Sequence, residues 1–231
     1  MHEPQAGSTV TLPGMATTQD AGIVHTAHST TIGSATFSNL QIVASPYLAY
    51  SSVPGAVDQY AGKVSLTNAG QDTWAAGTAY DDQYTSAYRP AAAGIGATVT
   101  THVDAQDNTS SWGKAGVMLR NNIAGAGTSP GYAAIFATPG QGVTLEWDSN
   151  GDGYPDAVTT KTGTAAVAPV WLRLVRNGTT VTGAYSADGT TWTTVGTATP
   201  STPATTQEAG VVFSAHGGPG TATFSQFSIT S

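Results

Sequence analysis

Nine consecutive residues carry the densest chemistry in the sequence: Asp148, Ser149, Asn150, Gly151, Asp152, Gly153, Tyr154, Pro155 and Asp156. They fit the pattern D-x-N-x-D-G-x-x-D, the opening of oxygen-ligand loops that take Ca2+. Calcium wants about six to eight oxygens at roughly 2.3–2.6 Å. Asp148, Asn150 and Asp152 alternate, so their side chains can converge as the loop curls. Gly153 permits the sharp turn, Tyr154 can offer its carbonyl, and Asp156 adds a carboxylate directly or through water. Position twelve is Thr159, where a helix-flanked calcium loop carries a bidentate Glu, so a ligand from elsewhere or water must complete the shell. Three carboxylates so close repel one another without a cation. The expectation is therefore a Ca2+ site formed by Asp148, Asn150, Asp152, Tyr154 and Asp156. It would order the loop rather than do chemistry. The alternative is a solvated Asp/Asn/Gly hairpin loop.

Catalytic patterns are sparse. The glutamates are Glu3, Glu146 and Glu208. Glycoside hydrolysis needs a pair of carboxylates across the scissile bond. Glu146 and Asp148 share a strand face, but the next residue on that face is Asn150. No G-x-S-x-G elbow and no H-E-x-x-H pair occurs. The expectation is that the chain is not an enzyme, with a glycanase as a remote alternative. Rings are a common carbohydrate platform, because sugar C–H faces pack on them. Trp147 and Tyr154 flank the acidic loop and are the first candidates for ligand contacts. Tyr80, Tyr84 and Tyr88 share one face by their i, i+4 spacing, which adds Tyr84 as a third.

What must position these residues is a β scaffold. The chain has 231 residues, 9% charged, with 28 Gly, 5 Trp, 9 Tyr and 5 Phe. Helix formers are scarce while Thr and Val abound, which favours strands. Residues 94–103 alternate, placing Ile95, Ala97, Val99, Thr101 and Val103 on one face. Residues 115–120, 132–137 and 141–147 read as further short strands. Asn177-Gly178 and Asp188-Gly189 are turn dipeptides that bracket residues 179–186, so three antiparallel strands form a meander. No long helix is expected. The pattern is all-β and antiparallel, a sandwich or a barrel.

Charge excludes partners. Seven Lys+Arg stand against 14 Asp+Glu, a net charge of −7, so the chain lacks the basic face that a nucleic-acid binder needs. No apolar run approaches the ~18 residues of a membrane span. Cysteine is absent, which removes disulfides and thiolate chemistry.

Residues 16–42 and 204–229 are similar. Ala16-Thr17-Thr18-Gln19 matches Ala204-Thr205-Thr206-Gln207, His28 matches His216, and Ala35-Thr36-Phe37-Ser38 matches Ala222-Thr223-Phe224-Ser225. The copies are about one large sandwich apart, too far for a solenoid repeat. Residues 1–45 therefore read as a partial repeat, either the tail of a preceding copy or extra edge strands. Residues 46–231 read as one module. Residues 19–42 could pair at a sheet edge or exchange with a second molecule. His28 and His216 are expected to share a structural role near a strand end.

Three blocks carry a family resemblance: DTWAAGTAYDDQYTSAY (residues 72–88), SSWGKAGVMLRNN (110–122) and VWLRLVRNGTTVTGAYSADGTTWTTVG (170–196). In order and type they resemble concanavalin A-like, laminin-G-like jelly-roll modules, over roughly residues 57–230. Such modules are appended to secreted bacterial glycoside hydrolases, peptidases and surface proteins. The resemblance implies a secreted, carbohydrate-binding accessory module. Its ligand would be a polysaccharide or cell-surface glycan, and sibling modules or a catalytic domain would be its neighbours. The alternative is a spacer or adhesion repeat with no glycan site. The resemblance also implies structural roles for the acid at Asp81-Asp82 and for Arg120. Trp74, Trp112, Trp171 and Trp192 lie in these blocks and are expected to pack in the core.

Overall fold

The computed structural model describes Ser34 and residues 45–76, 79–161 and 168–231. The repeat copy at residues 16–42, with its proposed edge pairing or strand exchange, lies outside the described residues. The described residues form strands and no helix.

Fourteen of the sixteen strands among the described residues form two antiparallel seven-stranded sheets. The first sheet runs, edge to edge, through β1 (Leu48–Ser51), β6 (Thr85–Ala93), β15 (Gln207–Ser214), β8 (Lys114–Arg120), β9 (Ala133–Thr138), β10 (Gly142–Trp147) and β11 (Ala157–Lys161). The second runs through β14 (Thr193–Ala198), β13 (Thr180–Ser186), β12 (Val170–Asn177), β7 (Thr98–Gln106), β16 (Gly220–Thr230), β3 (Lys63–Asn68) and β2 (Gly55–Tyr60). A separate hairpin joins β4 (Thr73–Ala76) to β5 (Ala79–Asp82). The expected all-β sandwich is what forms. The meander of β12, β13 and β14 turns at Asn177-Gly178 and Asp188-Gly189, where both glycines have positive φ. The strand expected from residue 94 begins at Thr98 instead, and Ile95 is 62% exposed.

The repeat copy at residues 204–229 does not fold as a strand pair. β15 lies between β6 and β8 in one sheet, and β16 lies between β7 and β3 in the other.

Alternation builds the core. Val117, Leu119, Ile135, Leu145, Val211 and Phe213 point from the first sheet toward Val64, Leu66, Val99, Leu172, Leu174 and Phe224 of the second, in one buried cluster. Each such side chain contributes about 1.5–3 kcal/mol by leaving water. The other face of the first sheet is covered as well, which is why every residue of β8 and β9 is buried. Tyr84, Tyr88, Met118, Tyr132, Phe136 and Val212 form a second apolar cluster there. The β4–β5 hairpin and the loops after β8 and β10 hold this cover in place through hydrogen bonds to the sheet's buried cations.

Candidate functional site

Strand β8 carries the two cations that organise the covered face. Lys114 and Arg120 are six residues apart, so they project to the same side from opposite ends of the strand. Gly116 lies between them because β8 and β9 approach too closely for a side chain. A Cβ there would stand 1.8 Å from the Ile135 carbonyl oxygen.

Arg120 is fully buried. It donates to Asp82 Oδ2 at 2.7 Å, to the carbonyl oxygens of Ser129 at 2.9 Å and Gly153 at 2.5 Å, and to the Tyr84 hydroxyl at 3.1 Å. Asp82 also accepts the Gly127 N–H. Burial raises the Asp82 pKa, and Arg120 pulls against that rise. The guanidinium thus ties the hairpin and two loops to the sheet, the structural role expected of it.

Lys114 organises the other end. Its ammonium donates to Asp72 Oδ1 at 2.7 Å, to Glu146 Oε2 at 3.1 Å and to the Thr73 carbonyl at 3.2 Å. Burial works against the Lys114 charge, and the carboxylates of Glu146 and Asp72 outweigh it, so its pKa is raised. Burial raises the Glu146 pKa in turn, and Lys114 limits that rise. Above this floor opens a pocket of about 400 Å³, lined by Asp72, Trp74, Trp112, Lys114, Glu146, Val158 and His216. The volume falls within the usual range of small-ligand sites, about 300–1,000 Å³. Trp112 is 37% exposed and Val158 is 43% exposed. Val158 stands beside Glu146 in the β10–β11 register. His216 follows β15 at positive φ, with Nδ1 at 3.4 Å from Asp72 Oδ2.

This pocket corrects the expectation that the tryptophans pack in the core. Trp74 and Trp112 line the pocket. Trp171 and Trp192 are half-buried; Trp171 lies against His102, and Arg173 sits 4.0 Å above the Trp192 ring. His216, expected to be structural, is a wall of the pocket. One sequence signal points to the site: Asp72 and Trp74, like Trp112 and Lys114, are spaced i, i+2, the spacing of side chains on one face.

The expected ligand contacts fare differently. Tyr84 is corrected: it is fully buried, its hydroxyl donating to the Ile123 carbonyl, so ligand in solvent cannot reach it. Trp147 projects opposite to Glu146 and packs, half-buried, against the inter-sheet core, away from the Trp74–Trp112 pocket. Tyr154 packs edge-on against Tyr80, ring centres 5.3 Å apart, beside a shallower groove on the β5 side.

In the 148–156 loop the proposed calcium donors bond to their own backbone. Asp148 accepts the N–H groups of Gly151 at 2.6 Å and Gly153 at 3.0 Å. Asn150 Oδ1 accepts from Asp152, Asp152 Oδ1 from Tyr154, and Asp156 Oδ1 from Ser149. Gly151 and Gly153 both have positive φ, which curls the loop. The donors are hard oxygens, the kind Ca2+ takes. Burial raises the Asp148 pKa, and the neighbouring charges of Asp152 and Asp156 add to it. A divalent cation would relieve that repulsion, so the donor chemistry fits calcium. A finished shell is not present: among the described residues no three His, Cys, Asp or Glu side chains gather as a metal group.

No family model matches the chain, and no curated protein matches it in sequence. Solved structures share its fold. A functionally unknown protein from Saccharomyces cerevisiae superimposes with a TM-score of 0.61 at 22% identity, covering 80% of this chain and 96% of that one. A sialidase gives 0.52 at 14% identity, over 80% of this chain but 17% of its own length. The Bacteroides ovatus xyloglucan PUL GH43B protein gives 0.50 at 17% identity, over 74% of this chain and 33% of its own. This chain therefore matches one segment of each of those two larger proteins, and at these identities the likeness is one of fold.

Proposed function

We propose that this chain is a secreted, non-catalytic carbohydrate-binding module of the concanavalin A-like kind, with its site at the Trp74–Trp112 pocket. The observation that carries the reading is that pocket: two tryptophans, one of them 37% exposed, over a floor of fixed polar groups. That is the pairing a sugar needs, rings for its C–H faces and oriented charges for its hydroxyls. Two fold neighbours are larger proteins named for sugar chemistry, and this chain corresponds to 17% and 33% of them, the proportion of an accessory module.

The non-catalytic part rests on Lys114. A glycosidase needs one protonated acid and one free carboxylate. In this pocket Asp72 and Glu146 both hold the same ammonium.

The test is titration calorimetry of the chain against a panel of polysaccharides, with Trp112→Ala alongside. Trp112 is exposed, so its loss leaves the melting temperature close to that of the parent chain. Binding to at least one glycan, weakened up to about tenfold by Trp112→Ala, is the expected result; a lost aromatic contact removes about 0.5–1.5 kcal/mol. Glycan-independent behaviour of both proteins would return the chain to a spacer or adhesion module. Release of reducing sugar would make it a glycanase.

Calcium is the second part of the proposal. Asp148, Asn150, Asp152, Asp156 and the Tyr154 carbonyl would hold it, and it would supply order to the loop. A ligand that binds only the folded state raises stability by about 2.7 kcal/mol at a hundredfold excess over Kd. The melting temperature is expected to rise in calcium over EDTA for the parent chain and to stay level for Asp152→Ala, an exposed position. Equal melting temperatures in both buffers would remove the ion from the proposal.

A further inference from the structure

We infer that the Trp74–Trp112 pocket reads hydrogen-bond donors, and therefore takes neutral or ammonium-bearing sugars and rejects carboxylated ones. This rests on the binding proposal above and names the ligand class of the same site.

A lysine ammonium has three N–H donors and no acceptor. Lys114 directs all three inward, to Asp72 Oδ1, Glu146 Oε2 and the Thr73 carbonyl. It is 2% exposed, and the three partners fix its direction. Lys114 therefore has no N–H to offer an incoming anion. Arg120, at the far end of β8, is committed in the same way to Asp82, Ser129 and Gly153.

Acceptors remain. Asp72 uses Oδ1 for Lys114 and for the Thr73 N–H, and its Oδ2 stands 3.4 Å from His216 Nδ1. Glu146 uses Oε2 for Lys114 and takes a long 3.3 Å bond from the Thr144 hydroxyl on Oε1. The lining carries two carboxylates, Asp72 and Glu146, and one lysine ammonium. Asp72, whose side chain is 19% exposed, is the acceptor that a sugar hydroxyl or ammonium entering between the tryptophans meets, and Glu146, 1% exposed, adds buried negative charge. A uronate or sialate carboxylate meets like charge and would have to break a Lys114 bond, leaving a buried carboxylate without its partner.

The experiment uses one glycan backbone in two charge states. The neutral polysaccharide bound best in the panel is compared with its own C6-oxidised derivative, in which the primary hydroxyl is a carboxylate. Chitin and chitosan oligomers provide the neutral and ammonium arms. Binding is measured at constant ionic strength on the parent chain, Trp112→Ala and Asp72→Asn. The expected result is binding of the oxidised glycan about tenfold or more weaker than the neutral parent, since like charges face each other across a contact. Asp72→Asn should narrow that gap. The ammonium arm should bind at least as well as its acetylated partner. Oxidised glycan that binds as well as the neutral one, and loses binding with Trp112→Ala, would overturn the inference and leave the binding proposal standing. Binding unaffected by Trp112→Ala would place the site elsewhere and overturn both. So would absence of binding in every arm.

Discussion

At the scale of single residues, the fold depends on charges that have left water in pairs. Removing one partner of a buried pair costs about 3–5 kcal/mol, because the other is left uncompensated. Arg120→Met should therefore lower the melting temperature sharply, while the double variant Arg120→Met, Asp82→Leu should recover part of the loss. A double variant no better than the single one would show that the guanidinium's bonds to the two loops, not the Asp82 charge, dominate. Buried hydroxyls give a second readout. Tyr84 and Tyr132 are fully buried, and burial raises both pKa values above the ordinary tyrosine range. A group whose pKa is higher in the folded chain contributes stability that is complete below its unfolded value, about 10, and is lost as pH rises through the folded value. Both tyrosines should thus stay protonated past pH ~10 and ionise only as the chain unfolds. Tyrosinate absorbance and circular dichroism, followed together through alkaline titration, should show a late absorbance step coincident with loss of structure. Full tyrosine ionisation ahead of unfolding would contradict this.

At the scale of elements, the tightest constraint is the approach of β8 to β9. Gly116→Ala sets a methyl against the Ile135 carbonyl, and backbone cannot yield as a side-chain tip can. The expected loss is at the upper end of overpacking, about 3 kcal/mol or more, read as a fall in denaturation midpoint at unchanged m-value. Stability equal to the parent chain would mean that the strands spread freely. The strands themselves were legible: residues 115–120 and 141–147 became β8 and β10 within a residue at either end. The β4–β5 hairpin was not, because each strand has four residues, too few for alternation to register. That hairpin carries Trp74 and is held by its neighbours. Ala75 donates to the Pro155 carbonyl at 2.8 Å, and Lys114 reaches the Thr73 carbonyl. Nothing local to residues 73–82 reports those partners.

At the scale of the whole molecule, the described strands of both sheets and the described members of both buried clusters lie after Ser45. A chain beginning at residue 46 is expected to fold cooperatively and sediment as a monomer; an unfolded or dimeric product would show that residues 1–45 complete a sheet in cis or in trans. The sequence by itself determined the class of the fold, because alternation with period two and turn dipeptides such as Asn177-Gly178 are local properties of the chain. It also determined the oxygen-rich character of the 148–156 loop, and the family-like block around Arg120 implied a structural role for that residue, whose burial only the fold shows. Tertiary structure decided which face of a strand meets solvent. Trp74, Trp112 and His216 come from segments more than a hundred residues apart at the extremes, and they meet because β8 and β15 are neighbours in the sheet and the β4–β5 hairpin lies across it. A tryptophan in a strand-like block has the same local pattern whether a second sheet covers it or a pocket opens beside it. Burial is set by what packs across the face, and that partner is distant in sequence.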